Sequence, residues 1–263
     1  MTLLCFELKR SRTALAVWTG AISLLLLICL IIFPDMKGQV DELNAAFSSM
    51  GSFTEAFGMD TLNMGELMGF YGLECGNILG IGGSFFAAYI GVCGLAEEEK
   101  NRTAEYLLTH PVSRCQVVLQ KLLGILIRIL ILNLVSISIA LITIRIIGES
   151  VQTHEFVLLH AAYLLLQMEI ACLCFWISAF IRKSGAGIGL GLAAILYFLN
   201  IIANITEDAQ WLKYFTPFAY ADAADILGDA SLDPVLCGIG CAVTAAAAAG
   251  AFLIYIRKDI HAS

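Results

Sequence analysis

Charge is scarce in this chain. Of its 263 residues only 14% are charged, against about 25% in a soluble domain, and the mean hydropathy is +0.85. A free-standing soluble domain is excluded. Basic residues are scarcer still in two long polar stretches, roughly 34–69 and 206–234, where only Lys37 and Lys213 occur. Those stretches also lack cysteine. The nine cysteines lie mostly in apolar runs, so there is no disulfide framework to staple a loop. Cys172 and Cys174 point to different faces of a helix, and Cys237 with Cys241 gives only two thiols, so no metal is expected. The chain has no Gly-x-x-x-x-Gly-Lys-Ser/Thr loop and so no nucleotide site of that kind; the glycines from Gly185 to Gly191 lie in an apolar run without the lysine. No small-residue cleavage site follows the first apolar run, which therefore reads as a retained span, not a signal peptide.

What is present is apolar sequence in long runs. A bilayer span takes about 20 predominantly apolar residues. Six runs qualify, at about 14–33, 70–96, 122–147, 156–181, 185–205 and 235–256. The reading is one all-α, polytopic membrane domain over 1–263. Lys and Arg orient it, because basic residues stay on the cytoplasmic side. With the N-terminus inside, the inner face holds Lys9, Arg10, Arg12, Lys100, Arg102, Arg114, Lys121, Arg182, Lys183, Arg257 and Lys258; the outer face holds Lys37, Arg145 and Lys213. Both termini are then cytoplasmic. The outer face carries fourteen acids, among them Asp222, Asp225 and Asp229, a charge that attracts cations or simply complements the exclusion of Lys and Arg.

One charged block interrupts the apolar sequence. EEEKNRTAEYLLTHPVSRCQVVLQKLL runs over 97–123. Residues 97–108 are strong helix formers; Pro111 breaks that helix, since the residue before a proline leaves the helical region. Ser113 is a candidate cap for the helix that follows. A short polar helix, a corner and a membrane helix suit a surface gripped by a soluble partner. A solvated connector is the plain alternative, although three residues, Arg182-Lys183-Ser184, suffice between the fourth and fifth runs.

Within the spans, Gly72, Gly76, Gly80, Ser84 and Ala88 form a small-residue stripe, and Gly185, Gly189 and Ala193 form another; such stripes let helices approach closely. Glu169 sits near the middle of the fourth span, where an acid costs about 2.5 kcal/mol or more unless paired or neutral. Asn133 lies at a similar depth in the third span, with Arg128 nearer the inner face. A hydrogen bond from Glu169 to Asn133 is the expected structural role; a cargo or gating site is the functional alternative. Asn200 and Asn204 are weaker polar cases near the outer end of the fifth span. The first outer segment repeats Val40, Leu43, Phe47, Met50, Phe53 and Phe57 at helical spacing, an amphipathic helix for the outer surface. Its methionines, Met36, Met50, Met59, Met64 and Met68, fit apolar packing better than a copper site.

The central block resembles permease subunits of ATP-binding-cassette transporters of the type-2 exporter family. The residues that carry the resemblance are Glu98, Thr103, Glu105, Leu107, Leu108, Pro111, Val112, Ser113, Arg114 and Lys121, with Arg102 where the family usually has glycine. CFELKRSRTALAVW from Cys5 resembles the family's amphipathic N-terminal helix, KYFTPFAYADA from Lys213 its outer segment before the last span, and YIRKDI from Tyr255 its ending. The resemblance implies a coupling helix in the loop 97–121, seated on a separate cytoplasmic ATPase through Glu98, Thr103, Glu105, Pro111, Ser113 and Arg114. It implies that ATP and magnesium belong to that partner and that this chain holds no cofactor. It implies a second permease, identical or homologous, with the second and fifth spans at the interface where cargo passes. The implied setting is the inner or plasma membrane, with lipid as the surroundings and no nucleic acid. Two other readings stand beside it. Glu97-Glu98-x-x-x-Arg102 and Phe156-x-x-x-His160 resemble two motifs of CAAX-type intramembrane proteases, although the third motif, a histidine and an asparagine four apart, is absent. An ATPase-linked signalling or immunity module that moves no cargo is the other.

Overall fold

A computed structural model describes residues 3–40, 54, 62–100, 113–181 and 185–257, with the backbone alone at 3, 97–100 and 207. Among these the regular secondary structure is all helix, and six helices are long and apolar enough to cross a membrane: Arg12–Lys37, Leu67–Ala96, Arg114–Ile146, Thr153–Ser178, Ala186–Ile205 and Pro234–Arg257. A short helix, Leu3–Arg10, precedes the first. The expected outer helix over 40–57 lies outside the described residues apart from Val40 and Thr54, and residues 101–112 of the charged block lie outside them altogether.

The spans match the apolar runs: the fifth and sixth agree to within a residue, the fourth is shifted by three, and the first and third gain a turn or more at one end. The third begins at Arg114, eight residues before the apolar run, and the fourth at Thr153. Hydropathy marks the part of a helix that crosses lipid, whereas backbone hydrogen bonding continues through polar turns until a cap or breaker stops it. Ser113 is that stop for the third span.

The second and fourth spans form the core. Each is 61% buried across its apolar window, against 22% for the fifth and sixth. The fourth is apolar on nearly every face, as a helix surrounded by others must be. Small residues bring the two together: a methyl group on Gly91 would lie 2.5 Å from the Ala171 carbonyl oxygen, and one on Gly94 2.7 Å from the Phe175 ring. The outward faces of the first, third and fifth spans keep Leu24, Ile31, Leu134, Ile142, Ile195 and Phe198 exposed, as surfaces in contact with lipid or another helix do.

The second span is not a uniform α-helix. Leu67–Cys75 passes into a π-helical turn, Gly76–Ile81, and resumes as Gly82–Lys100. A π turn loosens the backbone ladder, and such turns recur at functional sites. Gln167 of the fourth span donates from Nε2 to the Leu79 carbonyl within this turn, at 3.1 Å.

The two ends of the bundle differ. At the end bearing the chain termini, the N-terminal helix lies on the foot of the third span. Leu4 N donates to Gln120 Oε1 at 3.1 Å, Lys121 Nζ meets Glu7 Oε1 at 2.9 Å, and Arg128 Nη1 donates to Ser11 Oγ at 2.8 Å. At the far end, two 3-10 segments, Glu207–Phe215 and Ala219–Ala221, lead to a short helix, Ala223–Asp229. This segment dips inward: Thr216 Oγ1 donates to the Leu196 carbonyl at 2.7 Å, roughly 13 Å below the end of the fifth span at 1.5 Å per residue. Irregular backbone at that depth persists only when protein covers it, and Phe218, Ala219, Tyr220 and Ala221 are all buried.

Candidate functional site

The foot of the third span is built by a capping box. The Ser113 hydroxyl accepts from Gln116 N at 3.2 Å, and Gln116 Oε1 accepts from Ser113 N at 3.1 Å. The pair satisfies donors that the helix start leaves open. Arg114, the first helical residue, donates from Nη1 to the Ile256 carbonyl at 3.2 Å, which ties the foot to the last turn of the sixth span. The third helix has 33 residues, about 50 Å at 1.5 Å per residue, against a hydrocarbon core of about 30 Å. The second span, continuing to Lys100, has a similar reach. The charged block thus joins two helices that both outrun the bilayer. Glu98 occupies the end of the second span by its backbone; Thr103, Glu105 and Pro111 lie outside the described residues.

The intramembrane polar residues are placed differently from the expectation. Asn133 and Glu169 do not meet. Asn133 Nδ2 donates to Gln167 Oε1 at 2.6 Å and to its own helix at the Ile129 carbonyl at 2.9 Å. Glu169 Oε2 instead accepts from Tyr220 Oη at 2.8 Å. The reason is helical geometry: residues two apart point about 200° apart, so Gln167 faces the second and third spans while Glu169 faces the sixth. Gly240 of the sixth span completes that junction, since a methyl there would lie 2.7 Å from Glu169 Oε2 and 2.8 Å from the Tyr220 ring. Arg128 turns to Ser11, between the N-terminal helix and the first span, and to the Gly124 carbonyl, each at 2.8 Å, not to Glu169 or Asn133 at mid-depth. Gln167 was open to the same criterion that singled out Glu169, a polar side chain deep in a span. Tyr220 was not, because nothing in its neighbourhood marks an outer segment that folds back inward.

The glycine stripes are filled by the chain's own residues. Methyl groups on Gly76 and Gly80 would touch the Tyr163 ring and hydroxyl, and one on Gly72 would collide with Leu227 and Ala223. Gly185 and Gly189 face Val92, and Gly189 also the Ala88 carbonyl. Both stripes therefore build the interior of this chain, the second span packing on the fourth and fifth.

The protease constellation is taken apart by the same helices. His160 is buried beside Tyr71, whose hydroxyl lies 2.8 Å from its Nε2. Tyr71 is near the start of the second span and Glu97 near its end, some 26 residues and about 39 Å along the helix axis. A glutamate and a histidine so far apart cannot share a water or a metal. Among the described residues no cluster of three His, Cys, Asp or Glu side chains is disposed to hold a metal ion.

A six-span helical bundle with an overlong second and third helix framing one charged block matches the layout that the sequence resemblance implied. The family model described as "ABC-2 family transporter protein" matches residues 1–260. The chain belongs to the ABC-2 transporter family. No curated protein matches it. An ABC-2 protein of this kind is the multi-pass membrane subunit of an ABC transporter; it is the transport subunit and not the ATPase, and its family works with an ABC ATPase partner. Within this ABC-2 subunit, the capped foot at Ser113 and Arg114 and the junction Glu169–Tyr220–Gly240 are polar constructions at opposite ends of the bundle, the first beside the charged block and the second where the outer segment dips inward.

Proposed function

We propose that this ABC-2 subunit is an exporter permease that works as one of a pair, identical or homologous, with cytoplasmic ATPases bound at loop 97–121. The family match over 1–260 carries this reading. Its support at residue level is the rigid foot: a capping box at Ser113, a tie from Arg114 to the sixth span, and an ion pair from Lys121 to the N-terminal helix. A push on the loop would reach three helices at once. In this reading both termini and the loop face the cytoplasm, as the basic residues direct, and the membrane is the inner or plasma membrane. Glu98, Thr103, Glu105, Pro111, Ser113 and Arg114 form the contact, with charged groups setting register and specificity more than affinity. ATP and magnesium are held by the partner; this chain holds neither. ATP binding closes the ATPases, moves the loop and tilts the spans between inward- and outward-facing states.

The test is co-purification with the ATPase and ATP turnover in Glu105→Lys and Arg114→Glu, on variants that insert normally. Loss of docking and turnover is expected. Wild-type docking and turnover in the double charge reversal would reduce the block to a connector. Direction is read separately: inside-out vesicles should accumulate cargo on ATP addition, and cargo loss from them would make the protein an importer.

A further inference from the structure

A small cavity opens between the second and fifth spans beneath the inward-dipping segment. Its volume is about 70 Å³, and it is lined by the π turn at Gly76, Asn77 and Gly80, by Tyr197 and Asn200 of the fifth span, and by Asp222. That volume holds a few waters, or an ammonium group with its first methylenes. Asn200 is 7% exposed, and its Oδ1 has no hydrogen-bond partner. A buried amide oxygen without a partner carries a desolvation penalty. An amide can be turned to offer either its oxygen or its nitrogen, so Asn200 alone does not set the sign of the site. Asp222 does.

The Asp222 carboxylate caps the helix Ala223–Asp229, accepting from Ala224 N at 3.0 Å, and accepts from Asn204 Nδ2 at 2.9 Å. A carboxylate has about four acceptor positions, so capacity remains. Burial, and then the neighbouring Asp225, push its carboxyl above the usual aspartate range. Lys213, the cation nearest in this segment, is engaged with Asp225 at 3.3 Å. Among the described residues no Lys or Arg lines the cavity. The walls therefore offer an acid and an amide, and the one cation that acts on Asp222, Lys213, does so through space from outside the lining while paired with Asp225. A hard divalent metal takes six or more oxygens and usually several carboxylates, and one carboxylate does not make such a site. An organic ammonium, with three donors on a compact head, fits the acceptor set. Next in sequence to the lining residues Tyr197 and Ile201 of the fifth span, Phe198 and Ile202 are exposed and apolar, and they would carry an alkyl tail.

We propose that this cavity is a binding socket for the ammonium head of a cationic amphiphile, held by Asp222 and Asn200 against the π turn of the second span. The inference deepens the transport reading by naming a cargo class, and it rests on that reading only for why a ligand should be there. The test uses the full chain in phosphatidylcholine nanodiscs with radiolabelled octylammonium, empty nanodiscs giving the baseline. Saturable binding is expected, displaced by octylguanidinium but not by octanol or octanoate. Asp222→Asn keeps the helix cap and removes the charge; it should weaken binding tenfold or more. Asn200→Asp adds a second carboxylate and should tighten binding, a gain that misfolding cannot produce. Displacement by octanol as good as by octylguanidinium, or wild-type affinity in Asp222→Asn, overturns the proposal. So does displacement by potassium at the same concentration, which would make the site one for inorganic ions. Binding without a co-purifying ATPase would leave the socket and remove the transporter; co-purification without binding would do the reverse.

Discussion

Gly83 and Gln167 are expected to act as one unit, and a double-mutant cycle measures it. Gln167 joins three spans: it accepts from Asn133 of the third at 2.6 Å and donates to the Leu79 carbonyl of the second at 3.1 Å. It fits there because the second span has no side chain at Gly83; a methyl at that position would lie 2.2 Å from Gln167 Nε2 and 2.8 Å from its Cδ. Ordinary contact starts more than about 1 Å farther out. Gly83→Ala must therefore displace the amide, breaking its bonds, or part the helices. Overpacking of this kind costs about 1–3 kcal/mol. Gln167→Ala removes two interhelical hydrogen bonds, each about 0.6 kcal/mol in a membrane protein and at most about 1.7, and leaves a void. Once the amide is gone, the methyl of Gly83→Ala enters vacated space and should cost little. The two changes together should then cost less than their sum by at least about 1 kcal/mol, well above the scatter for independent sites of about 0.3–0.5 kcal/mol. The assay is reversible unfolding of the purified chain in mixed micelles, followed by helix signal, for wild type, both single variants and the double. Additive costs would refute the reasoning, because they would mean that Gly83 owes its identity to something other than the room it leaves for Gln167.

The remaining predictions can be read with simpler measurements. With native thiols replaced, a cysteine at Asp229 or Ser48 should be labelled from outside intact cells and one at Thr103 only after the membrane is opened; equal labelling at Thr103 from outside would overturn the layout. Glu169→Gln should keep the bond to Tyr220 and nearly all stability, whereas Glu169→Leu and Tyr220→Phe should each lose about 1 kcal/mol, the scale of an interhelical bond in a membrane; loss of transport in Glu169→Gln with normal assembly would instead show a role for the charge. Because the Asp222 carboxyl is raised in the folded chain, its contribution is fully present below the ordinary aspartate range and is lost as pH rises through the raised value. Asp222→Asn should flatten that part of a stability–pH curve, and an unchanged slope would show that burial of this acid does not matter. Pro111→Ala should preserve the charges of the block 97–123, remove the residue expected to break its helix and lower ATP turnover at unchanged membrane insertion; full turnover would show that this proline is dispensable.

The number and class of the spans were legible in the sequence alone, whereas the π turn of the second span and the short helices of the outer segment were not. Six apolar runs of span length have one solution in lipid, since each backbone group must find its partner inside its own segment. The Ser113 cap was legible too, because capping is a local contact between residues three apart. Family membership followed from the charged block and both flanking segments, which are contiguous stretches. The pairings were not legible. Depth along the membrane normal put Asn133 and Glu169 together, but depth says nothing of the angle around a helix, and that angle gave Asn133 to Gln167 and Glu169 to Tyr220. The buried pair of Glu7 with Lys121 joins residues 114 positions apart, and no local pattern announces it. The fold of residues 216–221 into the bundle, and with it the cavity of Asn200 and Asp222, depends on space left between the second and fifth spans. Local hydrogen bonding and hydropathy are properties of a segment, so the sequence determines them; which side chains meet is set by how six helices rotate to share one interior, and only the tertiary structure decides that.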